Sequence, residues 1–261
     1  MSESELVSGY EFHKICKWSV CPRYPMNINT TQIQLNDTVF LNLDYFGQFI
    51  QLLQQSPPSK RFVLITHNSD QSFNETHLKL IQPYVTHIYP INCSIQHSLI
   101  THIPIGFVDD KYKPHSIFKT IAQKNYEKNI LLYMNFVIDT NPTKRHECWN
   151  TFANKYWVTK QSNIPYEEFY TQLAKSKYTL SPEGTGIDCH RIYESMYFGA
   201  IPILKTSHLD YFYVNLPVII VKSWNDITQE FLETNYSNNK QKLDEWVFQN
   251  SDWTEADYWI K

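Results

Sequence analysis

Short apolar runs alternate with amphipathic stretches along most of this chain. Residues 39–43 are apolar and branched, which predicts a strand. Residues 45–54 then carry Phe46, Phe49, Ile50 and Leu53 at helical spacing on one face, and Ser56-Pro57-Pro58-Ser59 ends that pattern. Residues 61–66 form the clearest strand of the first half and run into a polar loop, His67-Asn68-Ser69-Asp70. A helix is expected over 75–82 and strands over 85–89 and 100–105. Pro104-Ile105-Gly106 reads as a turn, and residues 109–125 are polar without a strong period, as a link would be.

A second series follows. Residues 129–136 predict a strand. Residues 143–154 predict a helix with Asn141 or Thr143 as its cap and Pro142 in its first turn. Strands are expected at 156–159, 177–181, 201–205 and 218–221, and helices at 166–176, 190–198, 227–236 and 240–248. Alternating strands and helices imply an α/β chain with mostly parallel sheets. Two domains are expected, 1–110 and 126–261, meeting near 106–126. The C-terminal helices, with Trp246, Trp253 and Trp259, are expected to return to the first domain. Ligands of such sheets sit at the C-terminal ends of the strands. That rule selects the loops after Asp70, Phe136 and Ser181.

Composition narrows the function more than the fold. The chain has 261 residues, 42% of them hydrophobic, enough for a sizeable core, and a formal net charge of -3. Its lysines are scattered, which argues against a nucleic-acid partner. The start is polar and acidic, no apolar run of about 18 residues occurs, and a cytoplasmic protein without a membrane span is expected. Five cysteines at uneven spacing give no disulfide framework. The 10 histidines show no metal-ligand spacing, and neither a P-loop nor a Gly-x-Ser-x-Gly elbow is present. No metal and no cofactor are therefore assigned.

The segment 181–194, Ser-Pro-Glu-Gly-Thr-Gly-Ile-Asp-Cys-His-Arg-Ile-Tyr-Glu, concentrates the candidate chemistry. Gly184 and Gly186 are two of only 6 glycines in the chain; they permit positive φ and a close approach to the backbone. The following helix offers free N–H groups and the positive end of its dipole, a natural seat for a diphosphate. Arg191 lies in its first turn, where a guanidinium can bridge phosphate oxygens. Glu194 is three residues on, on the same face, where a carboxylate can accept both hydroxyls of a ribose. Lys144 and Arg145 follow the strand that ends at Phe136 and are candidates for a second phosphate contact. Asp70, at a strand end, is a candidate general base, with His67 as its substitute. His190 reads first as a structural imidazole that would stabilise charge beside a phosphate.

The order Pro-x-Gly-x-Gly, then His-Arg-x-x-Glu, then Gly-x-Ile-Pro-Ile through residues 182–203 resembles the donor-binding signature of exostosin-like glycosyltransferases. Residues 216–221, followed by Trp224, Asp226, Ile227 and Thr228, are similar to its continuation. Looser echoes lie at 62–70, Asn92-Cys93 and 104–106. The compact form resembles versions encoded by large DNA viruses. The resemblance implies the GT-B class, two Rossmann-like domains with mostly parallel sheets facing a cleft. It implies a nucleotide-sugar donor in the C-terminal domain, UDP-linked by preference. The acceptor would be a hydroxyl of a glycan or glycoprotein, with inverting transfer and no obligatory metal. By the same resemblance Glu194 meets the ribose, Arg191 the diphosphate, and Glu183 or Asp188 the sugar. The alternatives are a GDP-fucose-type fucosyltransferase and a non-catalytic nucleotide- or sugar-binding module.

Overall fold

The computed structural model describes residues 5–260. The chain divides into two compact units. One runs up to Gly106 and takes in the residues from Trp253 on; the other is Phe107–Asp252.

The first unit contains α1 (Gly9–Lys14), β1 (Trp18–Val20), β2 (Thr38–Asn42), α2 (Phe46–Gln55), β3 (Phe62–His67), α3 (Glu75–Ile81) and β4 (Val85–Pro90). Its four strands form one parallel sheet in the order β1-β2-β3-β4. The helical stripe expected on α2 is observed: Phe46, Phe49, Ile50 and Leu53 are buried against Val39, Leu41, Phe62 and Leu64 of the sheet. Asn74 caps α3 with its side chain, accepting from Thr76 N and His77 N.

The strand expected over 100–105 does not form. This stretch follows the edge of β4 through single bonds, such as Thr101 N to Ile88 O and Ile103 N to Pro90 O. Pro90 and Pro104 lack the N–H groups a full ladder would need there. α1 and β1 had too little periodicity to stand out in the sequence.

The second unit contains α4 (His115–Ala122), β5 (Ile130–Met134), α5 (Pro142–Phe152), β6 (Val158–Lys160), α6 (Tyr166–Lys175), β7 (Ser176–Leu180), α7 (His190–Tyr197), β8 (Ile201–Lys205), α8 (Asp210–Tyr213), β9 (Ile219–Val221) and α9 (Gln229–Gln249). Its five strands are all parallel, in the order β6-β5-β7-β8-β9. The stretch read as a polar link therefore holds a helix, α4. His115, Phe118 and Ile121 bury at helical spacing along it, and Asp110 Oδ1 accepts from its first N–H, His115 N, at 2.6 Å. The two helices expected after residue 227 are one helix of 21 residues. The Ser and Asn residues between them disfavour helix by at most about 0.7 kcal/mol each, too little to break it without Gly or Pro.

A short α10 (Ala256–Trp259) lies in the portion of chain that belongs to the first unit, where Val7 N donates to Thr254 O at 2.6 Å. α9 and Trp246 belong instead to the second unit, and the Trp246 indole N–H donates to Asn215 O at 2.8 Å. Two all-parallel α/β units in one chain are the content expected of the GT-B class. No helix among the described residues is long and apolar enough to cross a membrane.

Candidate functional site

The order β6-β5-β7-β8-β9 contains a reversal. From β5 the chain moves to one side for β6, then crosses to the other side for β7. The crevice between the C-terminal ends of β5 and β7 is the topological switch point, where ligands of open parallel sheets bind. Two of the three loops selected from sequence, after Phe136 and after Ser181, flank it.

The two loops are tied to each other by α5. Asn141 caps that helix by accepting from Lys144 N at 3.3 Å, and its amide donates to Gly184 O at 2.8 Å. Arg145, in the first turn of α5, is buried. Its Nε donates to Glu183 O at 3.0 Å and its Nη1 to Val137 O at 2.6 Å. Gly184 is needed for space. A Cβ there would lie 2.8 Å from Arg145 Nη2. The positive φ that Gly184 and Gly186 permit is not adopted; Gly199, just past the end of α7, has it, at 67°. That is the left-handed position that closes a helix.

Arg191 meets Arg145 across this loop. Both guanidiniums lie within 6 Å of the Phe136 ring, at 5.7 and 5.8 Å from its centroid. Among the described residues neither forms an ion pair. Burial first, and then the charge of Arg191, hold Arg145 below the usual arginine range, although a guanidinium stays protonated in a protein. Arg191 Nε and Nη1 are buried without a hydrogen-bond partner, and so is Ser181 Oγ at the other end of the same loop. α7 starts without a side-chain cap: Cys189 holds the N-cap position in extended conformation. The result is a cluster of unmatched donors and positive charge at the switch point.

Glu194 is buried. The Tyr170 hydroxyl donates to its Oε1 at 3.2 Å, and Lys113 Nζ lies 3.5 Å from the same oxygen. Burial, and then the charge of Glu194, push the Tyr170 hydroxyl well above the usual range. Asp188, expected at the sugar, is engaged elsewhere. It is buried and accepts from the Tyr193 hydroxyl at 2.7 Å, the Tyr213 hydroxyl at 3.0 Å and Cys189 N at 3.1 Å. This brace fixes the start of α7 to α8. Glu183 Oε1 lies 3.9 Å from Lys144 Nζ. These two, with Ile187, Thr206, Ser207 and His208, line a cavity of about 310 Å³ at the C-terminal ends of β7 and β8. His190 opens α7 and is half-buried.

The remaining candidates are in the first unit. Asp70 is exposed on the loop after β3. His67 is buried, with its ring 5.4 Å from that of Phe12, and its Nδ1 accepts from Asn68 N at 2.8 Å. Its ring therefore packs in the core of the first unit. Asp44, not anticipated, accepts from Ser69 Oγ at 2.7 Å and Gln71 Nε2 at 2.9 Å beside the same loop. Its place just past the end of β2 was the available signal. Lys113, Tyr170 and Phe136 were also missed as functional candidates. The first falls in the stretch read as a link, and the other two lie within an expected strand and helix to which no site role was attached. Among the described residues no three His, Cys, Asp or Glu side chains gather in a group that could hold a metal ion.

Comparison with known proteins gives the arrangement a family. The family described as the RXYLT1 C-terminal domain matches residues 107–253. Ribitol-5-phosphate xylosyltransferase 1 of Homo sapiens is 33% identical over 58 residues, 22% of this chain and 13% of that protein. The protein of the same name from Danio rerio is 23% identical over 101 residues, 39% of this chain and 19% of that protein. The matched stretches thus span 13% to 19% of these relatives' lengths. Among solved structures, an α,α-trehalose-phosphate synthase (UDP-forming) from Burkholderia vietnamiensis superposes with a TM-score of 0.49 at 10% identity, over 86% of this chain and 74% of that one. With more than half of its residues matched, the chain belongs to the RXYLT1 C-terminal domain family.

Proposed function

We propose that this protein is a glycosyltransferase whose second unit binds the nucleoside-diphosphate end of a nucleotide-sugar at the β5–β7 switch point. One observation carries the reading: Arg191 presents two buried, unpartnered N–H-bearing nitrogens beside a second buried guanidinium, Arg145. Leaving a buried donor unsatisfied costs about 1–3 kcal/mol, more when the group is charged. A diphosphate is the ligand that cancels this cost, since it brings both acceptors and negative charge. The start of α7, which has no side-chain cap, adds the positive end of a helix dipole.

In the proposed reaction an acceptor hydroxyl oxygen bonds to the anomeric carbon as that carbon's bond to the diphosphate breaks. The electron pair leaves with the diphosphate, whose developing charge Arg145, Arg191 and the start of α7 stabilise. The hydroxyl proton goes to a carboxylate, Asp70 in this reading. Attack from the face opposite the leaving group inverts the centre. Because guanidiniums and backbone meet the phosphate charge, no metal is required. UDP is the favoured nucleotide, in line with the exostosin-like signature. The relatives' name makes xylose the first sugar to try and ribitol 5-phosphate the first acceptor. The 310 Å³ cavity beside Glu183, Lys144 and His208 offers polar groups for a sugar.

Calorimetric titration with UDP, GDP and UDP-xylose, with and without EDTA, tests the proposal. UDP and UDP-xylose should bind and survive chelation. Absence of any nucleotide binding, or binding abolished by EDTA and restored by Mn²⁺, overturns it.

A further inference from the structure

Lys113 lies outside every motif that suggested a function, yet it is the cation nearest the buried carboxylate of Glu194. Its Nζ is 3.5 Å from Glu194 Oε1 and 5.5 Å from the centroid of the Tyr170 ring. The Tyr170 hydroxyl donates to the same Oε1. The Glu194 side chain is 3% exposed and that of Lys113 30%. Burying a carboxylate this far from water is costly unless a cation and hydrogen bonds compensate it. Lys113 supplies the charge, Tyr170 the hydrogen bond, and the Tyr170 ring also holds the ammonium over its face. Both contacts fall on Oε1, and no described hydrogen bond reaches Oε2. Glu194 is therefore a fixed acceptor one helical turn along α7 from Arg191.

We infer that Lys113 is a positioning residue of the donor site: it holds the Glu194 carboxylate in the orientation in which it accepts the ribose hydroxyls of the nucleotide. This rests on the reading of the β5–β7 switch point as a nucleotide site. It makes discrimination of ribose depend on a residue that touches neither the ribose nor the phosphates. The competing role is a plain brace that ties residues 107–122 to α6 and α7, where Phe118 packs on Tyr170 and Phe198. A brace would affect the whole protein and not one part of the ligand.

The test compares UDP with 2′,3′-dideoxy-UDP by calorimetry on wild type, Lys113→Met, Lys113→Arg and Tyr170→Phe, each checked by thermal melt. Hydrogen bonds to a charged carboxylate predict that wild type prefers UDP by roughly tenfold or more. Lys113→Met should shrink that ratio to within about threefold while the dideoxy affinity stays nearly constant, since a charge-assisted bond is lost to one ligand only. Lys113→Arg should restore the preference, and Tyr170→Phe should reduce it partly. If Lys113→Met fails to fold, the Tyr170→Phe ratio decides. An unchanged ratio in Lys113→Met (or in Tyr170→Phe, where Lys113→Met does not fold), or equal weakening of both ligands, overturns the inference while leaving the nucleotide site intact. Failure of wild type to bind either nucleotide overturns the site itself, and this inference with it.

Discussion

Replacing Arg191 with alanine separates a ligand site from a structural cation most sharply. In the structure Arg191 has buried Nε and Nη1 atoms without partners, and its charge lies close enough to Arg145 to depress that group. A residue in that state stabilises the ligand-free protein little. Arg191→Ala removes an unmatched charge and relieves repulsion, so the thermal midpoint should hold or rise. With a diphosphate present the same side chain makes charge-assisted hydrogen bonds worth roughly 1.5–3 kcal/mol. At about 1.36 kcal/mol per decade, affinity for UDP should fall by roughly ten- to 150-fold. Calorimetry gives the affinity, and a thermal melt with circular dichroism gives the stability. The refuting pattern is the reverse: a midpoint several degrees lower with UDP affinity unchanged. That would make Arg191 a structural residue and remove the diphosphate from this segment.

Three other substitutions probe the surroundings of the site. Gly184→Ala places a Cβ 2.8 Å from Arg145 Nη2, so the guanidinium must shift; UDP affinity should drop several-fold with little loss of stability, and unaltered affinity would show that Arg145 does not contact the ligand. Asp188→Asn disturbs a buried carboxylate that accepts from two tyrosine hydroxyls and should lower unfolding free energy by about 1–3 kcal/mol; a melt equal to wild type would refute the brace. Lys128 donates to Phe198 O at 2.5 Å at the end of α7, and burial, followed by the Lys240 charge, lowers its pKa from 10.5 to about 7. Between those values the unfolded chain binds the extra proton, so wild type should gain stability relative to Lys128→Met as pH rises from about 7 toward 10.5. A flat difference across denaturation curves in that window would contradict this environment.

The strongly patterned elements of the fold were legible in the sequence, and the weakly patterned ones were not. β8 forms over Ile201–Lys205, as its apolar run predicted, and α2 buries the four residues its spacing named. Those elements combine strong periodicity with Gly or Pro punctuation. α4 was missed because only three apolar or aromatic faces, His115, Phe118 and Ile121, turn inward from a polar stretch. The division between 227–236 and 240–248 failed for the opposite reason, since polar residues alone do not end a helix. At the site, Arg145 and Arg191 could be suspected from loop positions, but their meeting at Phe136 depends on the strand order β6-β5-β7, which is non-local. Asp188 and Glu194 looked alike as acidic residues near a helix start. Only their neighbours, two tyrosines for one and a lysine with a tyrosine for the other, distinguish a brace from an oriented acceptor.

The central claim is that the β5–β7 switch point holds a diphosphate, and a crystal structure of the protein with UDP tests it most directly. The account predicts phosphate oxygens within hydrogen-bond distance of Arg191 Nε or Nη1, with the first N–H groups of α7 directed at them and Glu194 at the ribose. A UDP molecule seated away from residues 181–194, with Arg191 Nε and Nη1 still unpartnered, would contradict it.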